Sequence, residues 1–257
     1  MTPHEKYVAF RTILVKEILR FARIWIQTVL PPMVTTALYF VIFGNLIGQR
    51  LGKMDGFRYV DYIVPGLIMM AVITNSYANV VSSFYGSKFQ RHIEEMLVSP
   101  VPAWIILLGF VAGGVARGLI VGVAVTLVAL FFADLHVYSP LILLSTALLT
   151  SVLFALAGFI NGVYAKSFDD ISIVPTFVLT PLTYLGGVFY SISLLPDFWQ
   201  TASLLNPILY MVNAFRFGFL GVSDINLVVS YGISIAFIVI LYSFSLSLLK
   251  RGAGVRS

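Results

Sequence analysis

Cysteine is absent from the 257 residues, which removes disulfides, thiolate metal sites and cysteine nucleophiles from the possible chemistry. Charge is scarce: Asp, Glu, Lys and Arg together make up 11% of the chain, against about 25% in ordinary soluble domains. No G-x-x-x-x-G-K-[ST] run occurs, so the usual phosphate-cradling loop for ATP is missing. The three histidines, His4, His92 and His136, lie at separate positions rather than grouped as metal ligands would be. Asp169 and Asp170 are adjacent, so on a helix they point about 100° apart and read as solvated loop charge. No series of buried Asp, Glu or His is expected that would relay protons. The chain therefore offers no catalytic residue, no metal ligand set and no cofactor site of its own, and it reads as something other than an enzyme.

What it has instead is apolar residues: 59% of the sequence, with a mean hydropathy of +0.96. A soluble fold of this length cannot hide so much apolar surface while leaving so few charges outside, so lipid is the main solvent. A spanning helix needs about 20 mostly apolar residues. Six stretches qualify, at residues 24–48, 59–82, 104–132, 140–165, 171–190 and 227–249. Their apolar residues run continuously instead of alternating, which predicts helices and not barrel strands. The expected fold is an all-α membrane domain over 1–257: a leading helix over 1–23, a six-span bundle over 24–249 and a tail over 250–257.

Orientation follows from lysine and arginine placement. With the N-terminus inside, that side holds Lys6, Arg11, Lys16, Arg20, Arg23, Lys88, Arg91, Lys166, Lys250, Arg251 and Arg256, whereas the other side holds Arg50, Lys53, Arg58 and Arg216. Both termini are expected to be cytoplasmic. The +5 net charge says little about nucleic acid, because the charges cluster at the ends of apolar stretches. The first 23 residues are not a secretory signal. Phe10, Leu14, Ile18 and Phe21 share one helical face, and Thr12, Lys16, Arg20 and Arg23 the other. That predicts an amphipathic helix in the headgroup plane with its basic face toward anionic lipid, or else packed on a partner.

Three features carry functional information. The loop between the second and third spans has a short helical pattern of mixed charge and apolarity, ended by Ser99-Pro100-Val101-Pro102. It suits docking into another protein's groove, with Met96 and Leu97 for packing and Glu94 and Glu95 for pairing, and equally a solvated turn. The segment 194–220 is rich in aromatics and broken by Pro196 and Pro207. It predicts two short helices dipping into the outer leaflet, since a seventh span would place Lys250 and Arg251 on the wrong side. Last, Arg117 sits near the middle of its span, where a charge costs about 2.5–3.5 kcal/mol on insertion scales. It is either a structural anchor or a contact for substrate or a lipid headgroup, and Gly113, Gly114 and Gly118 beside it permit close helix approach.

Four blocks, in this order and spacing, resemble the permease subunits of the ABC-2 family of ATP-driven exporters over nearly the whole chain. Tyr62-Ile63-Val64-Pro65-Gly66-Leu67 resembles the family's Y-x-x-P-G-[LI], and Ile93-Glu94-Glu95-Met96-Leu97-Val98-Ser99-Pro100 its L-E-x-L-L-V-S-P. Arg117-Gly118 resembles its R-G. Gly186-Gly187-Val188-Phe189 with Leu195-Pro196, Asn206-Pro207 and Ala214-Phe215-Arg216 resembles its outer run. Two departures stand out: Arg91-His92 where relatives often carry Gly-Thr, and Gly186 in place of a serine.

The resemblance implies two copies forming a pore in the bacterial inner membrane, above two separate ATPase chains that hold ATP and magnesium. It implies that Arg91, Ile93, Glu94, Glu95, Met96 and Leu97 belong to a coupling helix. It also implies that Gly187, Phe189, Pro196, Trp199, Asn206, Pro207 and Arg216 belong to re-entrant helices that can close the exit, and that the leading helix is the interfacial connecting helix. The substrate would be amphipathic or lipid-like, in keeping with 21 Phe and 13 Tyr, although lipid-facing aromatics explain that count as well. The alternative from another class is an ion-coupled carrier or channel acting without an ATPase.

Overall fold

The computed structural model describes residues 1–252; residues 253–257, including Arg256 and most of the expected tail, lie outside the described residues. Helix α1 (Pro3–Ala22) is followed by α2 (Trp25–Tyr39), which runs on through a π-helical stretch (Phe40–Ile47) into α3 (Gly48–Leu51). A two-residue hairpin, β1 (Lys53–Met54) with β2 (Phe57–Arg58), turns the chain into the 31-residue α4 (Tyr59–Phe89). Then follow α5 (His92–Val98), α6 (Ala103–Ala129), α7 (Pro140–Tyr164), α8 (Asp170–Val174), a π stretch (Pro175–Leu179) and α9 (Thr180–Tyr184). A 3-10 turn (Ile192–Leu194), α10 (Asp197–Ser203), α11 (Pro207–Leu220) and α12 (Leu227–Arg251) complete it.

Among the described residues, five helices are long and apolar enough to cross a membrane: Trp25–Gly44, Tyr59–Phe89, Ala103–Ala129, Pro140–Tyr164 and Leu227–Arg251. The stretch expected to be a sixth, residues 171–190, differs. It forms a helix over 170–184 and then turns at Gly187. Its fifteen residues rise about 22 Å, less than the other spans. They nonetheless lead from Lys166 beside Lys88 at one end of α4 to the Gly187 turn on Gly66 near the other, so the chain still passes between the two ends of the bundle here. The short rise has a local cause. Pro175 and Pro181 cannot donate into the ladder, the helix widens to π geometry between them, and Thr180 Oγ1 donates back to the Pro175 carbonyl at 2.9 Å.

Helix α4 is the buried centre, and α6 and α7 close on it through positions that lack a Cβ. On α6, a Cβ at Gly114, Gly118 or Gly122 would run into Val80, Ser76 and Val72 of α4. On α7, a Cβ at Gly158 would stand 2.5 Å from the Tyr77 carbonyl oxygen. Small residues one turn apart let helix backbones approach, which matters in lipid, where water does not drive apolar faces together. The expectation that glycines beside Arg117 permit close approach is met at Gly113, Gly114 and Gly118, which face Glu17, Val80 and Ser76.

The ends of the bundle are distinct. At one end, Phe84, Ile93, Phe110, Val163, Leu248 and Leu249 form one core cluster, so α5 packs beside the last turns of α4, α7 and α12. Lys88 Nζ donates to the Val163 and Ala165 carbonyls at 2.7 and 2.8 Å, and Tyr85 to the Lys166 carbonyl at 3.0 Å. Asp169 and Asp170 part company here: Asp170 accepts the Lys166 and Ser167 N–H groups at 2.8 and 3.0 Å. Those bonds, the one from Lys166 first, hold its carboxyl below the usual carboxylate range. At the other end Arg58 forks onto Asp61 at 2.8 and 3.0 Å and reaches Asp134 at 2.7 Å.

Replacing Gly158 by Ala is expected to destabilise the protein by about 1–3 kcal/mol through backbone displacement. Gly232→Ala, where a Cβ would meet nothing within 4 Å, is expected to be neutral or to gain up to about 1 kcal/mol of helix propensity. Thermal unfolding midpoints of the detergent-purified variants distinguish the two.

Candidate functional site

Two surfaces gather the residues singled out in the sequence. The first is α5. Chain direction reverses after α4 because Arg91 adopts a left-handed conformation, φ 61° and ψ 5°. Glycine adopts that conformation freely, so an arginine there carries strain. Ile93 is fully buried and anchors α5 in the cluster beneath it, and Met96 and Leu97 lie half-buried against the same cluster. Arg91, His92, Glu95 and Val98 face outward, Val98 with 88% of its surface exposed, and Glu94 is half-exposed. Among the described residues neither Glu94 nor Glu95 has an ion-pair partner. The packing role expected for Met96 and Leu97 is thus directed inward, whereas the outward face comprises Arg91, His92, Glu95 and Val98.

The second surface is the broken segment after α9, and the outer signature blocks meet there. Gly187 has φ +72° and turns the chain. Its carbonyl accepts a hydrogen bond from Nη2 of Arg216, which is 1% exposed and lies with its guanidinium carbon 4.1 Å from the Tyr62 ring centre. A Cβ at Gly66 would strike the Val188 backbone, so the Tyr62…Pro65-Gly66 block is the flat seat for this turn. Tyr59 donates to the Phe189 carbonyl at 3.0 Å. The Phe189 ring is enclosed by Tyr39 and Phe43 from the first span and by Tyr184, and the hydroxyls of Tyr39 and Tyr184 are 3.1 Å apart. Gly186, having no Cβ, leaves room for Ile208.

Pro196 precedes α10, which carries Trp199 outward at 48% exposure beside an exposed Phe198. Asn206 caps α11 by accepting the Ile208 N–H at 3.0 Å and donates to the Leu182 carbonyl at 2.6 Å, with Pro207 at the first helical position. Asp224 ties the next loop in, accepting from Ser191 Oγ at 2.7 Å while its own N–H donates to Asn213. The expectation of two short helices across 194–220 is met by α10 and α11, joined at Asn206-Pro207. Gly187, Phe189, Asn206 and Arg216 come together in one cluster. Trp199 lies apart, at the tip.

Sequence reasoning missed a third group. Glu17 of α1 is fully buried and accepts from Ser83 Oγ at 2.6 Å. Arg20 Nη2 donates to Asn79 Oδ1 and to its carbonyl, both at 2.8 Å, and Lys16 reaches Ser87 at 3.4 Å. Ile13 and Glu17 rest on Gly109 and Gly113 of α6. Helix α1 thus buries Phe21 and half-buries Phe10, Leu14 and Ile18, exposes Arg11, Thr12, Lys16 and Arg23 together with Val8, Val15 and Leu19, and, unforeseen, buries Glu17 with Arg20 drawn in beside it. The signal was present: Asn75, Asn79, Ser83 and Ser87 recur every four residues and draw a polar line down α4.

Comparison with known proteins agrees with this architecture. The sequence pattern of the ABC-2 type transporter family matches residues 8–220. The chain belongs to that family. It is 61% identical over 254 residues, 99% of both chains, to the Inner membrane transport permease YadH of Escherichia coli (strain K12). It is 24% identical over 227 residues, 88% of both chains, to the Nodulation protein J of Rhizobium leguminosarum bv. viciae. With Nodulation protein J of Sinorhizobium fredii (strain NBRC 101917 / NGR234) it shares 29% identity over 182 residues, 70% of this chain and 69% of that one. The family assignment makes it a multi-pass permease component, a membrane subunit and not an enzyme.

Replacing Arg91 by Gly is expected to stabilise the protein by about 1 kcal/mol by releasing the left-handed residue. Arg216→Leu is expected to cost about 1–3 kcal/mol, because the buried Gly187 carbonyl loses its donor. Thermal midpoints of the two variants should move in opposite directions.

Proposed function

We propose that this permease is the membrane half of an ATP-driven exporter, built from two copies of the chain above two separate ATP-binding-cassette subunits. It would move an amphipathic or lipid-like substrate outward across a bacterial inner membrane, with both termini cytoplasmic. The observation that carries this reading is α5: a short helix rooted by the fully buried Ile93, at the same end of the bundle as the last turns of α4, α7 and α12, with an apolar Val98 and the Glu95 carboxylate turned outward, the latter without an ion-pair partner among the described residues.

No phosphate loop exists in the chain, so ATP and its magnesium belong on the partner. Force from hydrolysis enters through a docked surface, and α5 has the form of one. Nucleotide binding then drives alternating access if the ATPase pair favours one arrangement of the permease over the other, because only differential affinity shifts an equilibrium. In that cycle the cluster of Gly187, Phe189, Asn206 and Arg216 closes the outer exit, with α10, Pro196 and Trp199 at its rim. The outer face of α1, which exposes Arg11, Lys16 and Arg23 beside Val8, Val15 and Leu19, would lie in the headgroup plane.

The test is co-purification. Glu95→Arg with Val98→Asp changes only exposed positions, so the variant should keep its thermal midpoint yet lose association with the co-expressed ATPase subunit, and with it ATP-dependent transport. Unchanged association would remove the basis of the proposal. Transport by the permease alone in ATP-free vesicles under an ion gradient would favour the ion-coupled carrier. Because the chain lacks cysteine, Ser193→Cys and Glu95→Cys each give a single label site. A membrane-impermeant maleimide added to intact spheroplasts should label the first and spare the second.

A further inference from the structure

Arg117 takes no part in either surface above. Its Nη2 donates to Asn75 Oδ1 at 3.2 Å, and its Nε is buried without an acceptor. Among the described residues no carboxylate lies within ion-pair distance of it. One turn further along α4, Arg20 binds Asn79 and shares Glu17 with Lys16, at 3.5 and 3.8 Å. Two cations therefore share a single carboxylate, and Arg117 nearby has none among the described residues. A guanidinium in low-dielectric surroundings is costly unless an anion answers it, and its planar fork matches a phosphate or carboxylate group. The positive excess and the unused donor on a half-buried side chain describe the polar end of a binding site.

The apolar end is adjacent. Asn75 donates to the Ala71 carbonyl at 3.0 Å, and Ala71 and Thr74 line a cleft of about 280 Å³ between α4 and α2. Its other walls include Leu67, Met70 and the Pro31-Pro32 pair. Neither proline can donate to a carbonyl one turn back, and α2 is largely unburied here, so the cleft opens on the outer surface of the bundle. A chain entering from lipid along α2 would arrive with its head beside Asn75 and Arg117.

We infer that Arg117 and Asn75 seat the anionic head, and the Pro31-Pro32 cleft the chain, of an amphiphile bearing a phosphate or similar anion. This rests on the reading of the protein as an amphiphile permease and gives that substrate a sign. Arg20, held by Asn79 and Glu17, raises the local positive field without being free to bind. Thr74 sets the width of the chain seat.

The experiment reads lipid binding to the full-length permease by native mass spectrometry, without any ATPase, so its outcome is independent of docking at α5. Dioleoyl phosphatidylglycerol is expected to bind at least about tenfold more tightly than dioleoyl phosphatidylcholine. Arg117→Gln is expected to bring the two within about twofold, and Arg117→Lys to retain most of the preference. Thr74→Trp, which fills the cleft, is expected to weaken both lipids. Equal binding of the two lipids by the native chain would overturn the inference even if Arg117→Gln fails to fold. So would a preference that survives Arg117→Gln. Competition by glycerol 3-phosphate at the lipid's own concentration would mark a free-phosphate site and overturn it equally.

Discussion

The structure depends on how closely α6 and α7 approach the backbone of α4. Lipid tails are as apolar as the side chains they would replace, so little hydrophobic free energy gathers these helices. Contact must come from dispersion at short range, which falls away within a fraction of an ångström of added separation. Gly114, Gly118, Gly122 and Gly158 supply that range by having nothing between the backbones. Everything else attaches to the triple stack so formed: α1 on its α6 side, α11 and α12 on its α7 side, and the turn at Gly187 on Gly66 of α4 itself.

Polar residues then fix what close packing alone leaves free to slide. The line Asn75, Asn79, Ser83 and Ser87 meets Arg117, Arg20, Glu17 and Lys16 in order, which sets the register of α1 against α4 in a medium where an unmatched polar group is costly. Arg216 does the same for the outer segment. Its buried guanidinium covers the Tyr62 ring and holds one backbone carbonyl, so α11, the Gly187 turn and α4 share a single reference point. The family signatures, read as isolated motifs, are the two halves of these contacts.

Much of this was legible in sequence because it rests on length and on proline and glycine. The long apolar runs gave α2, α4, α6, α7 and α12, and Pro196 and Pro207 gave the break that yields α10 and α11. The short helix over 170–184 was not legible, because apolarity continues through residue 190 while the backbone departs at Gly187. Nor was the burial of Glu17 on α1. A helical wheel assigns Lys16 and Arg20 to water or headgroups, and only the polar line on a second helix, distant in sequence, makes burying Glu17 between them favourable. At α5 the short helix was legible and the facing of Met96 and Leu97 was not, since both have as good a use against their own core as against a partner.

Lys88 closes the last turn of α7 with two hydrogen bonds while standing at the end of α4, and Tyr85 adds a third to the residue beyond. The two shafts are thereby welded at their tips. A lever attached just past that weld, through the single reversed residue Arg91, cannot bend one shaft and spare the other. It must tilt the pair, and with it the seat at Gly66 some twenty residues away on the far half of α4.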